Sequence, residues 1–294
     1  TLHAEAEERR QLETSLRFAT DKGELLLNFQ PVVDSVREHV VAFEALVRWQ
    51  SPEHGFISPV KFIPLAEDTR LIVPIGEWVM REACAFNKSL QDRGLPVMRV
   101  AINLSARQLT RYDLVRAVEQ ALHDSGMSAE SLELELTESM VMHDPEGVIA
   151  TLEQLKALGV ELSIDDFGTG YSSLNYLKRF PVTSLKVDQS FVRELGQGEN
   201  AAAIVKAVIS LGHSLGMKVI AEGVETEKQM SFLMENHCDA MQGFLFSRPL
   251  GMDEFITLLE RESNTSDKFS MLRQLCPSFI DQSSLQFVSN VTDS

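Results

Sequence analysis

Cysteine is scarce in this chain, and neither cysteine nor histidine falls in a spacing that holds a metal. The three cysteines, Cys84, Cys238 and Cys276, are far apart and odd in number. They read as reduced thiols and point to a cytoplasmic setting. The seven histidines form no HExxH or similar pair, which sets aside a zinc hydrolase and leaves them as surface or core residues. No apolar run approaches the ~20 residues that cross a bilayer, and no basic-then-apolar leader opens at Thr1. Positive charge is short as well: 27 Lys and Arg face 43 Asp and Glu, a formal net charge of −16. A duplex nucleic acid needs a basic face, so that partner is excluded. A small phosphate ligand is not, because acidic side chains reach phosphate through divalent cations.

What the chain does have is alternation. Apolar residues make up 44% of the 294, the share of an ordinary globular protein. Eight short apolar runs, LLLNF, VVAFEAL, RVAINLS, LELELT, VELSID, TSLKVD, KVIAEG and DAMQGF, are separated by polar or helical stretches. The first two lie close together with only DSVREH between them. Asp144-Pro145 predicts a capped helix start, with Gly159 able to end that helix. Ile204, Val208, Leu211 and Leu215 recur at helical spacing, and Gly216 can close their helix. Strand–helix alternation implies a parallel sheet clothed in helices. About eight strands in this length favour an α/β fold closed as a TIM (β/α)8 barrel. Residues 1–22 are charge-rich, with a partial stripe at Leu12, Leu16 and Phe18, and read as a helical connector. The barrel is expected over 23–261, and 262–294 is a polar, Ser-rich extension.

Polar residues recur where each apolar run stops: Glu44, Asn103, Asp165 with Asp166, Lys186, Glu222 and Gln242. In LELEL both Glu133 and Glu135 share one face, and the alternation does not choose between them. With Glu135 included, the intervals after Asn103 are 32, 30, 21, 36 and 20 residues, close to the ~30 of one barrel step. Strand ends of a barrel converge at one mouth, where barrel enzymes keep their chemistry. Five carboxylates there cannot all stay ionised unaided, since two like charges about 4 Å apart repel by ~4 kcal/mol at an effective dielectric of ~20. Two dications plus Lys186 balance them, and the all-oxygen donor set suits Mg²⁺ or Mn²⁺. Such a pair is standard equipment for phosphodiester cleavage.

The matching segments are FQPVVD (29–34), EALVRW (44–49), NLS (103–105), ELTES (135–139), DDFGTGYSSL (165–174), LKVD (185–188), AEGVET (221–226) and QGFLFSRP (242–249). In this order and spacing the chain resembles the EAL-domain cyclic di-GMP phosphodiesterases. The resemblance implies a modified TIM barrel whose first strand is antiparallel to the rest. It implies metal binding by Glu44, Asn103, Glu135, Asp165, Asp166 and Glu222, two Mg²⁺ or Mn²⁺ per site, and so selects Glu135 over Glu133. Glu222 and Lys186 are the implied groups at the attacking water, with either one the base, and Gln242 orients Lys186 and that water. Gln30, Leu46, Arg48, Asp188 and Pro249 are implied substrate contacts. Glu138 and Glu225 are implied braces of the glycine-rich loop, and 165–174 the implied homodimer contact. The implied reaction is in-line water attack that opens cyclic di-GMP to linear pGpG. The alternative is a receptor that binds the dinucleotide without cutting it. An upstream GGDEF or sensory domain, one that could anchor the parent protein in a membrane, completes the expectation.

Overall fold

The computed structural model describes residues 2–110, 113–170, 174–196 and 199–263. All but the first two residues of the expected 262–294 extension lie outside them, as do 171–173 of the expected dimer loop. Nine strands are described: β1 (Leu25–Asp34), β2 (Val40–Ser51), β3 (Gly55–Ile57), β4 (Arg99–Asn103), β5 (Leu132–Thr137), β6 (Glu161–Phe167), β7 (Ser184–Val187), β8 (Lys218–Ala221) and β9 (Ala240–Met241). Eight of them close a ring in the order β1-β2-β4-β5-β6-β7-β8-β9, and β3 pairs with β2 outside the ring.

β1 is antiparallel to both its neighbours, β2 and β9. Every other pair in the ring is parallel. This is the modified TIM barrel anticipated above. The cause is local. A parallel pair needs a crossover of a dozen or more residues, and DSVREH is too short for one. Asp34 tightens the turn instead, its Oδ1 accepting from the backbone N–H of Val36 and Arg37. All eight expected runs are strands. β3 was not anticipated, because three residues, GFI, carry no period to read.

The alternation of the strands sorts the two faces of the barrel wall. Leu132, Leu134 and Leu136 of β5, Leu162 and Ile164 of β6, and Leu185 and Val187 of β7 are fully buried in one core with the helices. Each such side chain contributes roughly 1.5–3 kcal/mol by leaving water. The intervening residues, Glu133, Glu135, Ser163, Asp165, Ser184 and Lys186, take the opposite face, into the barrel. Among the described residues, Val32, Ala42, Ile220 and Ala240 form a buried apolar cluster apart from the main core.

The helix Glu199–Ser214 keeps its predicted period but turns a slightly different face inward. Val205, Val208 and Ile209 are buried, whereas Ile204 is 38% exposed. Gly212 shows why: a Cβ there would stand 2.4 Å from Val219 Cγ2, so this is the line on which the helix meets β8. Asp144 does cap the helix Pro145–Ala157, accepting from the Gly147 N–H. Within the first 22 residues, Leu2–Ala19 is a helix. Its Leu12, Leu16 and Ala19 are buried in the main core, while Phe18 faces out. Arg9 ties it to Asp68 at 2.5 Å, and Lys61 pairs with Glu8. Among the described residues no helix is long and apolar enough to cross a membrane.

Cys84 and Cys238 are free and buried. Burial pushes both thiols up to about 12, so neither is a thiolate near neutral pH. Cys276 lies outside the described residues. Native protein treated with iodoacetamide at pH 8 is therefore expected to gain at most one carbamidomethyl group by mass, and three after unfolding.

Candidate active site

The C-terminal ends of the strands deliver the expected residues to one place. Glu44 comes from β2, Asn103 from the end of β4, Glu135 from β5, Asp165 and Asp166 from β6 and Lys186 from β7. Glu222 and Gln242 each follow directly on β8 and β9. Lys186 is 1% exposed and sits at the centre. Its Nζ lies 2.5 Å from Glu222 Oε1, 2.7 Å from Glu135 Oε1, 3.6 Å from Asp165 Oδ1 and 3.9 Å from Glu44 Oε2.

Asp165 and Asp166 are adjacent, and in a regular strand adjacent side chains point to opposite faces. Here the β6–β7 register shifts between Ile164 and Phe167, and Asp166 takes a left-handed backbone (φ 53). That bulge breaks the alternation and turns both carboxylates to the mouth. Oxygens of Asp165, Asp166 and Glu222 come within 4.8 Å of one another. Glu138 holds the loop that follows. Its Oε2 accepts from the N–H of Gly168 at 2.9 Å and of Gly170 at 3.4 Å. Gly168 takes a φ of +103 that a residue with a side chain resists.

Electrostatics set the protonation states. Burial alone would lower the Lys186 ammonium, but Asp165, Glu135, Glu222 and Glu44 outweigh it and hold it well above its usual range. Burial raises Glu135 well above the usual carboxylate range against the pull of Lys186. Burial also pushes Glu222 up to about 8, with Lys186 opposing and Asp165 and Glu44 reinforcing the shift. Asp166 rises to about 6 through burial and the neighbouring Asp165 and Asp188.

The donor set fits dications. With all five carboxylates ionised, one ammonium leaves an excess of four negative charges, which two divalent ions match. Glu135 Oε2 is buried with no hydrogen-bond partner, a spare acceptor inside the cluster. Every donor is oxygen, the preference of hard cations rather than of zinc.

A cleft of about 330 Å³ opens over the cluster, walled by Gln30, Glu44, Leu46, Asp165, Glu222, Gln242 and Pro249. Gln242 Nε2 donates to Glu44 Oε2 at 2.6 Å and to Gln30 Oε1 at 3.1 Å, and no hydrogen bond joins it to Lys186. It is seated by Gly243, where a Cβ would meet the Val224 carbonyl oxygen at 2.2 Å. Asn103 Nδ2 donates to Glu44 Oε1 at 2.5 Å. Arg48 is half-buried and lines a neighbouring groove with Asn103, sharing only Leu46 with the main cleft. Burial lowers its guanidinium, with Glu44 opposing. Asp188 faces Asp166 and also caps the short helix Gln189–Arg193 through the Ser190 N–H. Glu225 is exposed on the cleft wall, and no hydrogen bond among the described residues links its side chain to the glycine-rich loop. Sequence reasoning missed Gln189, Arg193 and Phe244, which also line the cleft. The first two share one side of a single helical turn directly after LKVD, a placement visible only once that turn is known to be helical.

The family model described as the EAL domain matches residues 10–249. The chain belongs to the EAL-domain family. It is 46% identical over 256 residues to the bifunctional diguanylate cyclase/cyclic di-GMP phosphodiesterase MucR of Pseudomonas aeruginosa, covering 87% of this chain and 37% of that one. It is 45% identical to the cyclic di-GMP phosphodiesterase NbdA of the same organism, covering 84% of this chain and 32% of that one. The chain thus spans about a third of the length of these relatives. The solved PaMucR phosphodiesterase in complex with c-di-GMP has a TM-score of 0.81 and 46% identity, covering 83% of this chain and 99% of that one.

Two predictions follow from the charge cluster. Lys186→Ala leaves buried carboxylates without their ammonium and is expected to cost on the order of 3–5 kcal/mol in metal-free urea unfolding. In the metal-free wild type, the folded state keeps protons on Glu222 and Asp166 that the unfolded chain has lost above their ordinary values of 4.5 and 3.8. Proton linkage then lowers stability as pH rises toward about 6 for Asp166 and about 8 for Glu222. The urea midpoint should fall from pH 5 to pH 8, and saturating Mg²⁺ should recover it.

Proposed function

We propose that this chain is a phosphodiesterase that hydrolyses cyclic di-GMP to linear pGpG. The observation that carries the reading is the ring of five carboxylates around one buried ammonium beneath an open cleft. Family membership and the activities for which MucR and NbdA are named support it. We assign Glu44, Asn103, Glu135 and Asp165 to one Mg²⁺ or Mn²⁺, Asp165 and Asp166 to a second, and Glu222 to the edge of the pair. When bound, two such ions supply charge for the attacking and leaving oxygens of an in-line displacement.

The chain's own groups do the rest. Lys186 already carries its proton, so it donates hydrogen bonds at the reacting centre and holds Glu135 and Glu222 in place. Glu222, on the cleft wall, takes the proton of the attacking water. Gln242 fixes the Glu44 carboxylate, and Gln30 fixes Gln242 in turn. Leu46 and Pro249 give the dinucleotide an apolar wall. Arg48, beside that wall, offers a planar fork to a phosphate or a guanine edge. Glu138 keeps the 165–170 segment in the shape that points two aspartates inward.

In the same reading, residues 23–261 are the catalytic unit, 1–22 a connector and 262–294 an extension. A second copy docks through the 165–174 region, and the unit acts in the cytoplasm behind a GGDEF or sensory domain, the first of which MucR's bifunctional name supports.

The test is product analysis after incubation with cyclic di-GMP and Mg²⁺ or Mn²⁺. The wild type is expected to yield pGpG, and Glu44→Ala to lose at least a hundredfold in turnover. Bound but uncut dinucleotide would favour the receptor alternative. Near wild-type turnover by Glu44→Ala would remove the metal assignment.

A further inference from the structure

The barrel has a second opening. At the end opposite the carboxylate cluster, a cavity of about 770 Å³ is lined by the strand starts Arg99, Ser184, Lys218 and Ala240, with Glu133 one residue inside β5. It shares no lining residue with the cleft over the cluster.

Its floor is apolar. Val32, Ala42, Ile220 and Ala240 all line it, and these are the four side chains packed together apart from the main core. Small side chains at two of the four leave the space open. A detached apolar patch at the bottom of a concave site, ringed by a few polar groups, is the usual form of a small-molecule pocket.

Its rim has uncommitted positive charge. Three of the lining carboxylates are occupied by the protein itself. Asp34 accepts from the N–H of Val36 and Arg37. Asp239 accepts from the Val219 N–H at 2.8 Å and pairs with His213 at 2.9 Å. Glu133 accepts from Ser184 Oγ at 3.1 Å and faces Arg99 at 3.4 Å. Glu38, directly after the turn, is half-buried and, among the described residues, is the one lining carboxylate that enters no ion pair or side-chain hydrogen bond. Arg99–Glu133 and His213–Asp239 are the ion pairs among the described lining residues, and Arg37 and Lys218 enter none. In a chain with a net charge of −16, two unpaired cations beside an apolar floor stand out.

We propose that this far opening binds a small organic anion: a carboxylate or phosphate monoester on a compact apolar body. The charged head meets Lys218 and Arg37 at the rim, and the body lies on Val32, Ala42, Ile220 and Ala240. The site is separate from the phosphodiester cleft, and its occupancy does not depend on the reaction assigned there.

The probe is 1-anilinonaphthalene-8-sulfonate, an anion on an apolar body whose fluorescence rises on leaving water. Titrated into the full chain, it should show one saturable site. Lys218→Glu, an exposed change at a strand start, should weaken that site at least tenfold while circular dichroism stays native. Phe244→Ala, which removes an aromatic from the other cleft, should leave it unchanged. Displacement by benzoate or by phenyl phosphate supports the site and tells which head group it prefers. Absence of saturable binding, full-strength binding in Lys218→Glu, loss in Phe244→Ala, or failure of both competitors to displace the probe would overturn the proposal.

Discussion

Inside this barrel a single ammonium is shared by four carboxylates, and the geometry around it explains much of the rest. Lys186 is enclosed on all sides, so its charge has no water to lean on and must be met by Glu135, Glu222, Asp165 and Glu44. The reverse also holds. Carboxylates at such spacing repel one another by several kcal/mol at any reasonable protein dielectric, and only cations keep them ionised together. The cluster therefore carries a standing deficit of positive charge, which divalent cations are suited to fill.

That arrangement is affordable because the barrel wall separates stability from chemistry. The same strands that present Glu135, Asp165 and Lys186 inward present Leu134, Ile164 and Leu185 outward to the helices, where they form the main core. A strand has period two, so one residue step moves a side chain from one environment to the other. Little apolar material is left for the barrel's interior, and its four-residue patch at the far end is a consequence of that division. The two openings of the barrel differ accordingly: one ends in carboxylates, the other in a small apolar floor with basic residues at the edge.

A bulge in β6 is the point where regular structure gives way to the site. Without the register shift after Ile164, Asp166 would sit on the helix side of the wall. Glu138 stabilises the departure from regularity by taking two loop N–H groups. It is buried and lies far from Asp166 in sequence, so a change there would act on the shape of the carboxylate cluster without altering any of its carboxylates.

The sequence alone was enough for the eight strands of the ring and for the polar residues at their ends, because both are written in local alternation and in intervals of about one strand–helix step. The antiparallel first strand came from the family resemblance, and the short DSVREH connection explains it once the fold is known. Other features were out of reach of local pattern. LELEL presents Glu133 and Glu135 on one face, and only their different depths send one to Arg99 and Ser184 at the far end and the other to Lys186. Gln242 hydrogen-bonds Glu44 and Gln30, partners that no local pattern names, since closure of the ring sets β9 against β1. Glu225 stands exposed on the cleft wall, a position that local pattern does not give. Residue type and spacing determine which groups reach the end of a strand. Depth, partner and charge state arise only when eight strand ends from distant parts of the chain share one enclosed volume, because burial and Coulomb interaction depend on distances that no stretch of sequence contains.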